Sequence, residues 1–412
     1  MTEPACRFCR APLGLPVLDL GSQPLSNAYL SPADLAAGRE RSFPLRLRVC
    51  ACCLLVQVDD SVPPKAIFDG DYAYFSSFSE SWLAHCRRYA ADSVARFGLG
   101  PTSQVLEVAS NDGYLLQFFA DAGVPVLGIE PTANTAAVAQ AKGVPTEVRF
   151  FDEATGRDLA ARGFAADLVH GANVLAHVPD IRGFVAGFPH VLKADGTLTL
   201  EFPHLLCMIE RVQFDTIYHE HFSYLSLLVV EAVLGTAGLR VYDVERLQTH
   251  GGSLRLFCCH VEAPFIEAQA VDRLRLAERE AGLADVATYT TFAARVDDVR
   301  RAFVTFLDDA RRDGLRVAAY GAAAKGNTFL NSCGTTAEDV VCVFDRSPHK
   351  QGKLLPGSHV PVLDPAKASE VRPDLLLILP WNLRTEIMRQ MDDVRRWGCR
   401  FVTVAPEVEV TA

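Results

Sequence analysis

A chain of 412 residues is too long to close around one hydrophobic core, so two or three domains are expected. Its 49% hydrophobic and 22% charged residues exclude a disordered chain. A net charge of −10 without a dense basic cluster excludes a nucleic-acid footprint, and no run of about 18 apolar residues offers a membrane span.

The N-terminus, "MTEPACRFCR", lacks the apolar core of a signal peptide. A cytosolic protein is therefore expected, with its twelve cysteines as thiols or metal ligands. "CRFC" and "CACC" then form two C-x-x-C pairs separated by about 40 residues. Cys6, Cys9, Cys50 and Cys53 have the spacing of a four-thiolate tetrahedral zinc site, with Cys52 left over. Such a site is closed, so its metal is structural. The alternative is a set of unconnected buried thiols.

From Gln104 onward strands alternate with helices. "QVLEVASNDGYLLQFFADAG" reads as strand, turn and helix, ended at Gly123. "VPVLGIEPTANTAAVAQAKG" repeats the pattern, with Glu130 closing its strand. "ADLVHGANVLAHVPD" and "GTLTLEFP" supply a third and a fourth strand. This order predicts a parallel sheet wound on both faces, with ligands beyond the carboxyl ends of the strands. Next comes "FDTIYHEHFSY", Phe214 to Tyr224, dense in groups able to carry chemistry. A charged stretch of helical period, roughly Glu262 to Asp313, reads as a connector. A second αβ unit starts near Leu315 with "LRVAAYGAAAKGNTFLNSCG", and Asp345 closes its next strand.

The turn "EVASNDGYL" lacks the G-x-G-x-x-G that lets backbone approach a pyrophosphate; only Gly113 is present. S-adenosylmethionine carries no phosphate and needs a tight turn, an acid for the ribose and an apolar slot. Glu107, Gly113 and Glu130 supply the first two, and Phe150 and Phe151 with Asp152 could border the adenine. The residues favour a methyl donor over NAD without excluding NAD.

"LEVASNDGYLL", "GIEPTAN", "IYHEHFSYLS", "THGGSLRLF", "YGAAAKGNTFLN" and "DRSPHKQGKLLPGSHVPV" together resemble the sugar C-methyltransferases of deoxysugar biosynthesis. The motifs run over nearly the whole chain in that family's order. The resemblance implies an α/β protein with three parts. These are a zinc-binding domain (1–68), a Rossmann-like methyltransferase domain (69–261), and a helical connector with a second Rossmann-like, nucleotide-sugar-binding domain (262–412). One departure is Ala109, where the family usually has glycine.

Methylating a sugar carbon requires a carbanion, and that requires an adjacent ketone. A base must take the alpha proton, which suits a histidine, and donors must hold the charge that develops on the ketone oxygen. A metal site is the rival use of His219 and His221, but H-E-x-x-H fails because Ser223 stands four after His219. A structural polar cluster is the other. The resemblance implies that His221 is the base, with Tyr218 and Glu220 in the same pocket, and it adds Tyr72 and His177. Asn173, in the loop of His177, is expected near the methionine end of the cofactor.

In the last lobe "YGAAAKGN" could be an NAD turn, but alanines replace the needed glycines. Tyr320, Lys325 and Asn327 are expected instead to grip the nucleotide of the substrate, with Lys325 facing a diphosphate. "HGGS", from His250, turns the chain near the same cleft or is a plain glycine hairpin. The expected reaction is S-adenosylmethionine-dependent methylation of a nucleotide-linked 4-keto-deoxysugar. By resemblance the nucleotide is dTDP and the carbon is 3, with carbon 5 as the alternative. The rival classes are an NAD-dependent sugar-nucleotide oxidoreductase and a non-catalytic zinc module. A monomer or weak homo-oligomer is expected, without nucleic-acid or membrane partners.

Overall fold

The computed structural model describes residues 4–14, 16–62, 75–404 and 407–411. Strands β1 (Leu18–Pro24), β2 (Ser42–Val49) and β3 (Val56–Val58) pair antiparallel behind the first cysteine pair. In β2 the inward residues Leu45, Leu47 and Val49 alternate with polar ones, the pattern of a half-buried strand.

The central sheet begins with β4 (Val105–Val108), β5 (Val126–Glu130), β6 (Thr146–Val148), β7 (Ala166–Ala172) and β8 (Leu192–Pro203), all parallel to one another. Every residue of β4 is buried, as expected where helices cover both faces. The helix before it, Glu80–Phe97, is capped by Ser79 and ends on left-handed Gly98. The chain then makes β9 (Ser223–Tyr224), which leaves this sheet and pairs with β3. It returns as β10 (Leu239–Leu247) and β11 (Ser253–His260), giving the order β10-β11-β8-β7-β4-β5-β6.

The alternation of elements predicts a parallel sheet, and β11 departs from it. β11 runs antiparallel to both its neighbours, because a connection as short as Gln248–Gly252 can only return the chain as a hairpin.

The connector is helical over Gln269–Glu280, Val286–Thr290 and Phe292–Arg312. Phe292, Val296, Val299, Phe303 and Leu307 form the buried stripe of the long helix. It leads to β12 (Val317–Tyr320), β13 (Val343–Phe344), β14 (Val362–Leu363), β15 (Leu375–Ile378), β16 (Arg400–Thr403) and β17 (Glu409–Thr411). These form a third sheet that is parallel except for β17. The sheets share apolar cores: one cluster joins Leu45 and Leu47, Ile217, Phe303 of the connector and Val343 of the last sheet. The three parts are therefore packed on one another at the level of their cores.

Candidate active site

The Sγ atoms of Cys6, Cys9, Cys50 and Cys53 all lie within 4.8 Å of one another, with Cys6–Cys53 at 3.5 Å and Cys9–Cys50 at 3.4 Å. Sulfurs about 2.3 Å from one tetrahedral zinc stand roughly 3.8 Å apart, so the donor set fits that ion. The two knuckles match. Arg10 and Leu54, each just after the second cysteine, are both left-handed (φ 65° and 65°). Each donates its N–H to the carbonyl of the first cysteine of its pair. Gln57 Nε2 donates to Cys6 Sγ at 3.2 Å. Cys52 is exposed, and among the described residues no other group of three or more potential ligands converges.

A cavity of about 880 Å³ opens at the carboxyl ends of the central strands and is lined by residues from all three parts. Ala109 (φ 59°), Asn111 (φ 47°), Asn173 (φ 55°) and His250 (φ 53°) all line it. Non-glycine residues in this region are strained, and such strain gathers at functional sites. Glu130 at the end of β5 also lines the cavity. Its Oε2 accepts from the Asn111 N–H (2.8 Å) and its Oε1 from the Thr132 N–H (2.9 Å), which ties two turns together. Phe150 and Phe151 form an apolar wall, with Phe151 packed on Phe184 and Phe188.

Not every residue expected at the cofactor reaches the cavity. Glu107 lies fully buried on β4, where desolvation pushes its carboxyl well above the usual range despite Tyr114 beside it. Gly113 serves packing: a Cβ there would stand 3.2 Å from both Ala139 and Val144. Asp152 caps the helix Glu153–Ala161 by accepting from the Thr155 N–H (2.8 Å). What remains at the cavity is a tight turn, one acid and apolar walls of Val108, Ile129 and Phe151. These fit S-adenosylmethionine, with Asn173 beside them.

The stretch "FDTIYHEHFSY" is a 3-10 turn followed by loop, so its two histidines diverge. His219 faces β2, where its Nε2–H donates to the Phe43 carbonyl (3.3 Å). His221 lines the cavity. Its Nδ1–H donates to the Thr216 carbonyl (2.9 Å), which leaves Nε2 as a proton acceptor. Its ring stands 4.0 Å from that of Tyr218 and 4.7 Å, edge to face, from that of His177. Burial, then the neighbouring His177, hold His221 well below the ordinary histidine value, and burial takes His177 down to about 4. Both are neutral at pH 7. Glu220 accepts from Asn27 Nδ2 (2.8 Å), and burial pushes its carboxyl up to about 7. Tyr72 lies outside the described residues.

From the last lobe, Lys325 near the start of the helix Ala324–Ser332 lines the same cavity. Its Nζ donates to Asn382 Oδ1 (2.8 Å) and lies 4.7 Å over the ring of Trp381, whose Nε1–H donates to Asp215 (2.7 Å). Tyr320 and Asn327 do not reach it. Tyr320 sits in the core on the other face of its sheet and donates to Gln390 Oε1 (3.0 Å). Asn327 Nδ2 donates to the Ser26 carbonyl (2.5 Å), which pins the first part to the last. Asp345 accepts from the N–H groups of Ala322 and Ser347, both at 2.8 Å, the same tie between two turns that Glu130 makes, but unlike Glu130 it does not line the cavity.

Asn27, Trp82 and Lys350 are among the cavity residues not singled out from the sequence, and the ring of His250, expected only to turn the chain nearby, lines the cavity as well. Lys350 Nζ donates to the Ala322 carbonyl (2.7 Å) and lies 5.3 Å over Tyr29. Asn173 Nδ2 donates to His250 Nε2 (3.1 Å), and Trp82 packs on the same imidazole at 5.2 Å. The paired glycines after His250 were the available signal. A Cβ at Gly251 would collide with Trp381 at 2.2 Å, so the turn is pressed against the last lobe.

Comparison with known proteins gives matches along the chain. The profile described as "Putative zinc binding domain" matches residues 6–68, "Methyltransferase domain" residues 82–244, and "C-methyltransferase C-terminal domain" residues 248–406. The C-methyltransferase NovU of Streptomyces niveus is 37% identical over 405 residues, 98% of this chain and 96% of that protein. An uncharacterized methyltransferase of Mycobacterium leprae is 32% identical over 125 residues, 28% of this chain and 46% of its own. The crystal structure of magnesium protoporphyrin IX methyltransferase from Synechocystis PCC 6803 with bound SAH aligns at a TM-score of 0.35 and 17% identity, over 48% of this chain and 93% of that one.

Proposed function

We propose, from the premise that this chain belongs to the C-methyltransferase family and is an S-adenosylmethionine-dependent enzyme, that its substrate is a nucleotide-linked keto-sugar. The substrate is a dTDP-linked 4-keto-deoxysugar, methylated at carbon 3. One observation carries this reading: a single cavity is lined by the cofactor turn, by Lys325 and Lys350 and by a neutral histidine pair. Segments 1–68, 69–261 and 262–412 divide the work into zinc brace, methyl transfer and nucleotide grip.

His221 Nε2 takes the alpha proton, since its Nδ1–H is already committed to Thr216. Tyr218 and His177, which flank its ring, hydrogen-bond the ketone oxygen as negative charge develops there. Tyr72 belongs to the same group of donors. Glu220, with an ordinary carboxylate value displaced to about 7, bonds a sugar hydroxyl. Glu130, Phe151 and Asn173 hold S-adenosylmethionine, which supplies an electrophilic methyl group when bound. Lys325 and Lys350 face the diphosphate across the cavity.

Deuterium exchange separates proton abstraction from methyl transfer. With S-adenosylhomocysteine in place of the donor, the wild-type enzyme in deuterated water exchanges the alpha hydrogen of the keto-sugar nucleotide. His221→Asn loses exchange and methylation together, by about 100-fold or more, while both ligands still bind. Near-normal methylation by that variant would move the base elsewhere, with His177 next in line.

A further inference from the structure

The first zinc knuckle carries a side chain that the chemistry above leaves unused. Arg7 stands between Cys6 and Cys9, and only 3% of its side chain is exposed. Its backbone N–H donates to Gln57 Oε1 (2.9 Å), and the same Gln57 side chain donates to Cys6 Sγ, so the place of Arg7 is tied to the thiolate cluster. The guanidinium reaches the chain just after His177. Nη1 donates to the Pro179 carbonyl (3.2 Å), and Nη2 donates to the Val58 carbonyl (2.8 Å) and to Asp60 Oδ1 (3.0 Å). Its carbon lies 5.0 Å from the centre of the Phe222 ring.

Those partners sit beside the histidine pair. Pro179 is two residues after His177 and itself lines the cavity, and Phe222 directly follows His221. The second segment is also stitched to the zinc-side sheet. The Val58 N–H donates to the Phe222 carbonyl (3.2 Å), and Ser223 pairs with Gln57. One buried guanidinium thereby touches the backbone after His177, the ring after His221 and the strand that carries Gln57. Its fork of donors can serve several acceptors at once, which a lysine cannot.

We propose that Arg7 is a positioning residue for C-methylation: it clamps the Pro179 and Phe222 segments together and so sets the 4.7 Å spacing of the His177 and His221 rings. The zinc knuckle is then part of the catalytic geometry as well as a brace for the fold. This rests on the reading of His221 as the base, and the test keeps the two apart. If the clamp loosens, His177 moves away and its contribution to the depressed His221 value is lost, so His221 titrates at higher pH.

The experiment uses Arg7→Met and Arg7→Lys in the full-length, zinc-loaded enzyme. It reads zinc content, S-adenosylhomocysteine affinity, kcat and KM, and histidine titrations by NMR, the last needing no substrate. Arg7→Met is expected to keep its zinc and its cofactor affinity. It should lose about 10- to 100-fold in kcat, the usual scale for outer partners of a site, with little change in KM, and His221 should titrate higher. Arg7→Lys keeps a cation over Phe222 and recovers part of both effects. A zinc-loaded Arg7→Met with wild-type kcat and wild-type histidine titrations would overturn the proposal. Loss of zinc from both variants would overturn it too, making Arg7 a residue of the fold alone. If the titration moves while His221→Asn still methylates, the clamp stands and the assignment of the base falls.

Discussion

Ala109 occupies a left-handed conformation (φ 59°) where the cofactor turn leaves β4, and its N–H donates to the Ile129 carbonyl (2.7 Å). An L-residue with a Cβ costs about 1–2 kcal/mol there, whereas glycine adopts the conformation freely. Ala109→Gly should therefore stabilise the protein by about 1 kcal/mol net of the extra chain entropy, and should bind S-adenosylhomocysteine at least as tightly. Denaturant unfolding and calorimetric titration measure the two effects; a less stable variant would refute the strain argument. Two further residues separate the ligands. Glu130→Ala removes the acid at the end of β5 and should weaken S-adenosylmethionine binding. Lys325→Ala should weaken binding of the nucleotide sugar. If both changes raised KM for the same ligand, the division of the cavity would be wrong.

At the scale of elements, the short strand β9 matters more than its two residues suggest, because it ties the stretch that carries His221 to β3 rather than to the central sheet. Two of the four cluster cysteines, Cys50 and Cys53, lie in the turn between β2 and β3, and Gln57 of β3 bonds to Cys6 and Arg7. Cys50→Ser should remove the metal and lower the melting temperature, and it should also reduce activity, since β3 is the strand that pairs with Ser223 and Tyr224. Metal analysis and a melting curve test the first two. A Cys50→Ser protein with full zinc and unchanged stability would rule out the four-thiolate site. Cys52→Ser, at an exposed position outside the cluster, should change little.

Across the whole molecule, burial holds several histidines neutral, and this sets the response to acid. Desolvation depresses His170 to about 3 and His177 and His250 to about 4, against an unfolded value near 6.5. Between those values the unfolded chain binds more protons than the folded one. The stability these groups contribute is thus complete above about pH 6.5 and is lost as pH falls toward 4. His204 runs the other way: burial lowers it, but bonds to Cys207 and Glu278 raise it overall, so its contribution fades as pH rises through its folded value. Burial also raises the carboxyls of Glu107, Asp215 and Glu220, whose contributions likewise fade as pH rises, but it lowers His219 and His221 too, so the depressed histidines outnumber the groups that oppose them. The melting temperature should fall steeply from pH 6.5 to 4.5, and His170→Gln should flatten part of that fall. A melting temperature independent of pH over this range would contradict the neutral assignment.

The sequence by itself determined what depends on spacing along the chain. The two C-x-x-C pairs named the four thiolates, because knuckle geometry is local. Strand–helix alternation gave the central and last sheets, because period and turn residues are local too. Glu130, Phe151, Asn173, His177, Tyr218, Glu220, His221 and Lys325 all reach the cavity, Glu130 and Asn173 from strand ends where such a sheet gathers its ligands. Tertiary structure decided the rest. A strand's pleat turned Tyr320 away from the cavity, and a loop conformation sent His219 and His221 in different directions. Glu107 and Gly113 were spent on the interior of the turn. Asn27, Arg7 and Lys350 gained their places only when separate parts of the chain packed together. Their partners Glu220, Pro179 and Ala322 lie 193, 172 and 28 residues away in sequence. No local pattern encodes such contacts; they exist because the first part shares one apolar core with the last sheet and another with the central sheet.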